Sequence, residues 1–188
     1  MTSLSKYKHY LVLVPALAGT LLFCSCKTNL EKVQELTEWE NVPGVIAYNF
    51  EILYTENGKT KVKVLAPESR YYQFAKEPYN EFPQGITVYN YNDSLEVMST
   101  LTANYAIFYD EKKLWNARYD VVAMNAKGQV LNTEQLFWDQ NTKRIYSHDM
   151  VKITDGDDVL FGEGMESDEA FDDWEILKPS GSMYVKEE

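Results

Sequence analysis

From Gly44 onward the chain alternates apolar and polar residues with a period of two. Ile46, Tyr48, Phe50, Ile52 and Tyr54 alternate with Ala47, Asn49, Glu51 and Leu53, the signature of a strand with one buried face. Asn57-Gly58 marks a hairpin, after which Lys61-Val62-Lys63-Val64 alternates back. A two-residue loop would set Ile52 opposite Lys63 and mix the faces. A three-residue loop, Glu56-Asn57-Gly58, sets Ile52 opposite Val62 and Phe50 opposite Val64, with Gly58 in the left-handed position, and this is the pairing the pattern predicts.

Further strands are predicted over residues 86–91, 95–109 (long or bent), 115–125, 129–138, 144–154, 159–163, 174–177 and 183–185, with turn residues between them. An aromatic-Asp turn recurs, as Tyr109-Asp110 and Trp138-Asp139, which fits similar β-units stacked side by side. Many short strands with almost no helix predict an all-β fold: a sandwich, a jelly roll or a related roll of sheet.

The N-terminal pattern is different. Lys6 and Lys8 precede an uncharged, apolar run from Tyr10 to Phe23, and the run ends Leu22-Phe23-Cys24-Ser25-Cys26. A basic start before a short apolar stretch is the pattern of an export signal. It is short for a spanning helix, which needs about 20 apolar residues. Three readings remain: a lipoprotein signal with Cys26 as the acylated residue, an uncleaved signal anchor, and ordinary secretion. All three put the rest of the chain outside the cytoplasm. Residues 1–26 are therefore read as signal or anchor, 27–43 as linker and 44–188 as one β-domain. Leu30, Val33, Leu36 and Trp39 give the linker helix-like spacing, so it is either a short amphipathic helix or a spacer. Cys24 and Cys26 are the only cysteines, and no structural disulfide is expected in the domain.

Charge narrows the function classes. The net charge is −11, and every acidic residue follows the N-terminal run. A domain so acidic lacks the basic footprint that nucleic acid requires. Apart from His9 in the leader, His148 is the only histidine, and no nucleophile stands beside it in motif context. Asp155, Asp157 and Asp158 do not follow calcium-loop spacing. The acidic stretch of Glu163, Glu166, Asp168, Glu169, Asp172 and Asp173 reads as a solvated loop. No catalytic residue, metal site or cofactor is predicted, and the protein is expected to bind rather than catalyse.

What stands out is the apolar stock of one sheet face. Ile86, Val88, Leu101, Ala103, Tyr105, Val122, Leu136, Trp138, Ile145, Val151 and Ile153 are its candidates. Periodicity allows two readings, a filled core or an apolar groove open to acyl chains. Small Ala103 between Leu101 and Tyr105 leaves room that a packed core would fill. In a simple strand order the first and last strands are the free edges, which places Tyr48 and Phe50 on one edge and Met183, Tyr184 and Val185 on the other; a free edge can add a partner's strand.

Several segments together resemble a known family. Glu81-Phe-Pro-Gln-Gly-Ile-Thr-Val, Leu101-Thr-Ala-Asn-Tyr-Ala, Leu114-Trp-Asn-Ala-Arg, Leu131-Asn-Thr-Glu-Gln-Leu-Phe-Trp-Asp, Ile145-Tyr-Ser and Gly162-Glu-Gly resemble, in their order and spacing, the LptC family. The most specific of them is the segment ending at Asp139. LptC proteins are membrane-anchored periplasmic components of lipopolysaccharide export. The resemblance implies a V-shaped β-jellyroll whose groove takes lipopolysaccharide acyl chains. It also implies docking onto the β-domains of the membrane subunits LptF and LptG and onto an LptA-like periplasmic bridge protein. The implied location is the periplasmic side of the inner membrane. Many family members keep a spanning helix, so Cys26 is a departure that bears on the anchor and not on the fold.

Overall fold

A computed structural model describes residues 40–180. It contains eleven strands: β1 (Val45–Glu56), β2 (Lys59–Tyr72), β3 (Tyr79–Phe82), β4 (Ile86–Tyr91), β5 (Val97–Ala103), β6 (Tyr105–Tyr109), β7 (Leu114–Asn125), β8 (Val130–Asp139), β9 (Arg144–Asp155), β10 (Asp158–Asp168) and β11 (Trp174–Ser180). All pairings are antiparallel and join one continuous sheet, and there is no helix among the described residues. The all-β, jellyroll-like expectation holds.

The sheet branches. Residues Val62–Leu65 of β2 pair with β4, while Arg70–Tyr72 pair with β3. Likewise Leu114–Arg118 of β7 pair with β6 and Val122–Asn125 with β5. Pro67, with no N–H to leave unsatisfied, sits where β2 changes partner. Glu68 is buried there, accepting hydrogen bonds from Arg70 Nε at 2.6 Å and Gln84 Nε2 at 2.7 Å.

A line of irregularities continues from this branch across the sheet. Tyr119 and Asp120 both have positive φ at the break in β7. The β8–β9 pairing is interrupted between Thr133 and Phe137, and the β9–β10 register shifts beside Gly164, which has φ 78. Bulges bend strands and increase twist, and aligned bulges crease a sheet. The buried hydroxyls at the crease are satisfied locally: Thr133 donates to the Met150 carbonyl at 3.0 Å and lies 3.2 Å from Ser147 Oγ. Each long strand therefore contributes one half to each of two wings. One wing holds β4 and β5, the other β3 and β6, and the apolar core lies between them.

Three details depart from the sequence pattern. The β1–β2 loop has two residues, Asn57 and Gly58, both at positive φ (52 and 75), a turn whose twist suits a hairpin. A bulge after Tyr54 then restores the faces, so Ile52 lies opposite Val64 and Phe50 opposite Ala66, two residues beyond the predicted partners. The long strand predicted over 95–109 breaks at Asn104, whose N–H bonds the Tyr119 carbonyl at 3.0 Å. β2 also runs far beyond Val64, and β3 was not predicted. Of the linker, residues 40–43 form turn and coil; the rest of it, Cys26 and the predicted strand over 183–185 lie outside the described residues.

Candidate functional site

Strand alternation sets which side chains meet between the wings. From the first wing come Val62 of β2, Ile86 and Val88 of β4, Leu101 of β5 and Ala123 of β7; from the second come Trp115, Ala117, Leu136, Trp138 and Ile145. They enclose a narrow apolar cleft with about 60 Å³ of free space at its floor. Trp115 stacks between Phe82 and Phe108, with centroids at 5.4 and 4.7 Å, and lies 6.3 Å from Trp138. Among the described residues its Nε1 is the one buried side-chain nitrogen or oxygen without a hydrogen-bond partner, a cost of about 1–3 kcal/mol.

The cleft widens at one end into a mouth of about 650 Å³, within the range of ligand sites. Ile52, Tyr54 and Glu56 of β1 and Lys61 of β2 form one rim. Lys113, Gln140, Asn141 and Lys143, from the β6–β7 and β8–β9 turns, form the other. Val62, Asn90, Trp115, Trp138 and Glu169 line both floor and mouth, so the two are continuous.

A strap over residues 169–173 crosses one side. Asn90 Nδ2 donates to the Glu169 carbonyl at 3.2 Å, and Trp138 Nε1 donates to the Glu169 carboxylate at 2.8 Å. These two bonds join opposite wings. Phe171, 1% exposed, lines the floor, and its carbonyl accepts from Asn125 Nδ2 at 2.7 Å. Asp168 Oδ1 accepts the N–H groups of Asp172 and Asp173. The stretch read from sequence as a solvated loop thus packs an aromatic ring into the core.

Of the sequence candidates, Ile86, Val88, Leu101, Leu136, Trp138 and Ile145 line the cleft together. Val151 and Ile153 face inward but belong to the filled end, beside Thr133 and Leu131. Ala103 is buried at the corner and does not reach the cleft; the room lies instead at Ala117 and Ala123. Val122 pairs with Thr102 and Asn132 and is on the opposite face from Ala123, its neighbour in the cleft. Of the adjacent Val121 and Val122, strict alternation from Trp115 selects Val121.

Tyr105 is also on the outer face, because the break at Asn104 shifts the alternation by one: Leu101 and Ala103 point inward before it, Ala106 and Phe108 after it. Tyr105 donates its hydroxyl to Glu81 at 2.9 Å, as Tyr72 does. Burial, then the Glu81 hydrogen bond and charge, push the Tyr105 phenol well above its ordinary range. Tyr72 shifts the same way for the same leading cause, burial.

Among the described residues the sheet has two free edges, because β1 pairs with β2 alone and β11 with β10 alone. β1 is long and apolar: Val45, Ile46, Tyr48, Leu53 and Tyr54 are each about half exposed or more, Tyr48 at 69%. Phe50 is turned inward against Phe82 at 5.8 Å. Met183, Tyr184 and Val185 lie outside the described residues, so the visible C-terminal edge is β11.

The comparison with curated proteins found no match. The family described as lipopolysaccharide-assembly, LptC-related, matches residues 11–179, a span that takes in every strand of both wings up to Pro179. With that span covering most of the chain, this protein belongs to the LptC-related family and is a component of lipopolysaccharide transport in the cell envelope.

Proposed function

We propose that the cleft is a relay site for lipopolysaccharide. Acyl chains lie between the wings, handed on from the inner-membrane ABC transporter towards a periplasmic bridge protein, with no chemistry performed on them. The observation that carries this reading is the continuity of an apolar floor with a wide mouth rimmed by the β1 edge on one side and by the β6–β7 and β8–β9 turns on the other. Each CH₂ leaving water gains about 0.8 kcal/mol, so partial insertion of a few chains suffices for retention without irreversible capture.

Edge addition is the proposed mode of docking. The β1 edge, with Tyr48 exposed and Phe50 behind it, meets the β-domains of LptF and LptG. The C-terminal edge, with Met183, Tyr184 and Val185, meets an LptA-like bridge. Cys26 is the proposed lipid anchor on the periplasmic face of the inner membrane, and an acylated Cys26 in the mass of the mature N-terminus is the result expected; an intact Met1 would mean a spanning anchor.

The test is in-cell photo-crosslinking. A crosslinker at Leu101 in the cleft is expected to capture lipopolysaccharide, while one at Thr87, on the other face of the neighbouring strand, captures none. Equal capture at both positions, or none at either, overturns the groove reading. A crosslinker at Tyr48 is expected to capture the transporter; capture of the bridge there reverses the polarity.

A further inference from the structure

The mouth is asymmetric in charge, and two of its lysines are held in an unusual way. The β6–β7 and β8–β9 turns both end in a lysine at left-handed φ: Lys113 at 52° and Lys143 at 56°. Glycine or asparagine takes this position without strain, whereas other residues pay for it. Both turns lie on the rim of one cleft.

The two turns form one unit. Gln140 N–H bonds the Lys113 carbonyl at 3.1 Å, and Asn141 Nδ2 bonds the Lys112 carbonyl at 2.8 Å. Lys113 Nζ stands 5.9 Å from the centroid of Phe108, itself part of the mouth. Among the described residues most cations are ion-paired, including Lys61 with Asp93 of the adjacent β4–β5 turn, but neither Lys113 nor Lys143 is paired with a carboxylate. Of the two acids lining the mouth, Glu169 is engaged by Trp138, and Glu56 lies with Lys61 on the rim facing the two lysines.

We propose that Lys113 and Lys143 form a ledge that binds the anionic, phosphate-class head group of an acyl amphiphile whose chains lie on the apolar floor. This rests on the groove reading above and adds a head-group site to it. Ammonium groups without carboxylate partners are available to a phosphate as point charges, and the wide mouth has space that the narrow floor lacks.

The full chain is titrated with dioctanoyl phosphatidic acid, with uncharged dioctanoylglycerol and with inorganic phosphate, read by the fluorescence of Trp115 and Trp138 in the cleft. The phosphatidic acid is expected to bind about tenfold tighter than the neutral lipid, about 1.4 kcal/mol. The double variant Lys113→Gln/Lys143→Gln is expected to lose that preference while keeping the neutral affinity. Lys113→Gly/Lys143→Gly is expected to lose it too, yet to melt higher, because glycine removes the left-handed strain. That pairing separates a binding role from a structural one. Equal affinity for the two lipids in the unaltered chain, or a preference that survives both double variants, overturns the ledge while leaving the groove. Phosphate alone binding as tightly as the phosphatidic acid makes it a free-anion site and overturns the head-group assignment. If neither lipid binds, the groove reading fails, and the ledge with it.

Discussion

Ala123→Val tests whether the free space between the wings is functional. Ala123 is 3% exposed, lines the floor, and sits on β7 between Leu101 of β5 and Leu131 of β8. Valine suits a strand and adds two carbons directed into about 60 Å³ of free volume. Filling such a cavity at roughly 24 cal/mol per Å³ returns about 1.4 kcal/mol. Burying two more carbons at about 0.8 kcal/mol each gives about 1.6. With some of that lost to an imperfect rotamer, a net gain of about 1 kcal/mol is expected, or roughly 2–4 °C in the thermal midpoint of a domain this size. Transport is expected to move the other way: lipopolysaccharide capture by a crosslinker at Leu101 should fall severalfold, since the added methyls occupy the proposed acyl path. A protein that gains stability and loses function by the same substitution reveals a cavity kept open for use. The reasoning is refuted if stability rises while capture is unchanged, which would make the cavity a packing defect. It is refuted equally if stability falls by more than about 1 kcal/mol, the signature of a floor already full.

Other consequences follow from the corner, the hairpin and the outer face. Gly85 has φ +83, and a Cβ there would clash with the Ala103 carbonyl oxygen, whereas Gly128 at φ +81 has open space around it. Gly128→Ala should therefore cost only the left-handed penalty of about 1 kcal/mol, and Gly85→Ala clearly more; urea unfolding that ranks them equally rejects the corner geometry. In the hairpin, both turn residues are left-handed, so Gly58→Val should cost about 1–2 kcal/mol and Asn57→Ala a smaller but measurable amount by the same assay. Burial and the Glu81 carboxylate hold Tyr105 and Tyr72 protonated above the ordinary phenol value of 10. Because the unfolded chain gives up these protons first, their stabilisation is complete below pH 10 and is lost as pH rises beyond it. Tyr105→Phe should flatten that alkaline loss in urea midpoints measured across it, and an unchanged slope would remove the phenol from the account.

The sequence by itself determined what depends on local alternation and turn chemistry. That Ile52 shares a face with Val62 and Val64 follows from matching the two apolar alternations, because side chains repeat every two residues. Asn57-Gly58 had to turn, and the all-β class followed from strand-length runs separated by turn residues. Six of the cleft residues were legible for the same reason: each lies on an uninterrupted stretch of alternation, as Ile86 and Val88 do, or Leu136 and Trp138. Val122 went against the alternation itself; other expectations failed where the chain crosses a break in the period. Asn104 reverses the face for Tyr105, and the bulge after Tyr54 moves the β1–β2 partners by two residues while preserving the faces. Nothing local announces either, because a bulge is stabilised by the neighbouring strands it meets. Phe171 was hidden by its acidic neighbours; its place in the floor depends on a hydrogen bond from Asn125, more than forty residues away in the chain. Whether the inward face encloses space or fills it was likewise decided only by the tertiary structure. Alternation specifies which side chains point inward, but the distance between the wings is set by where the bulges of β7, β8, β9 and β10 line up, and that alignment is a property of pairing between strands, which no single strand encodes.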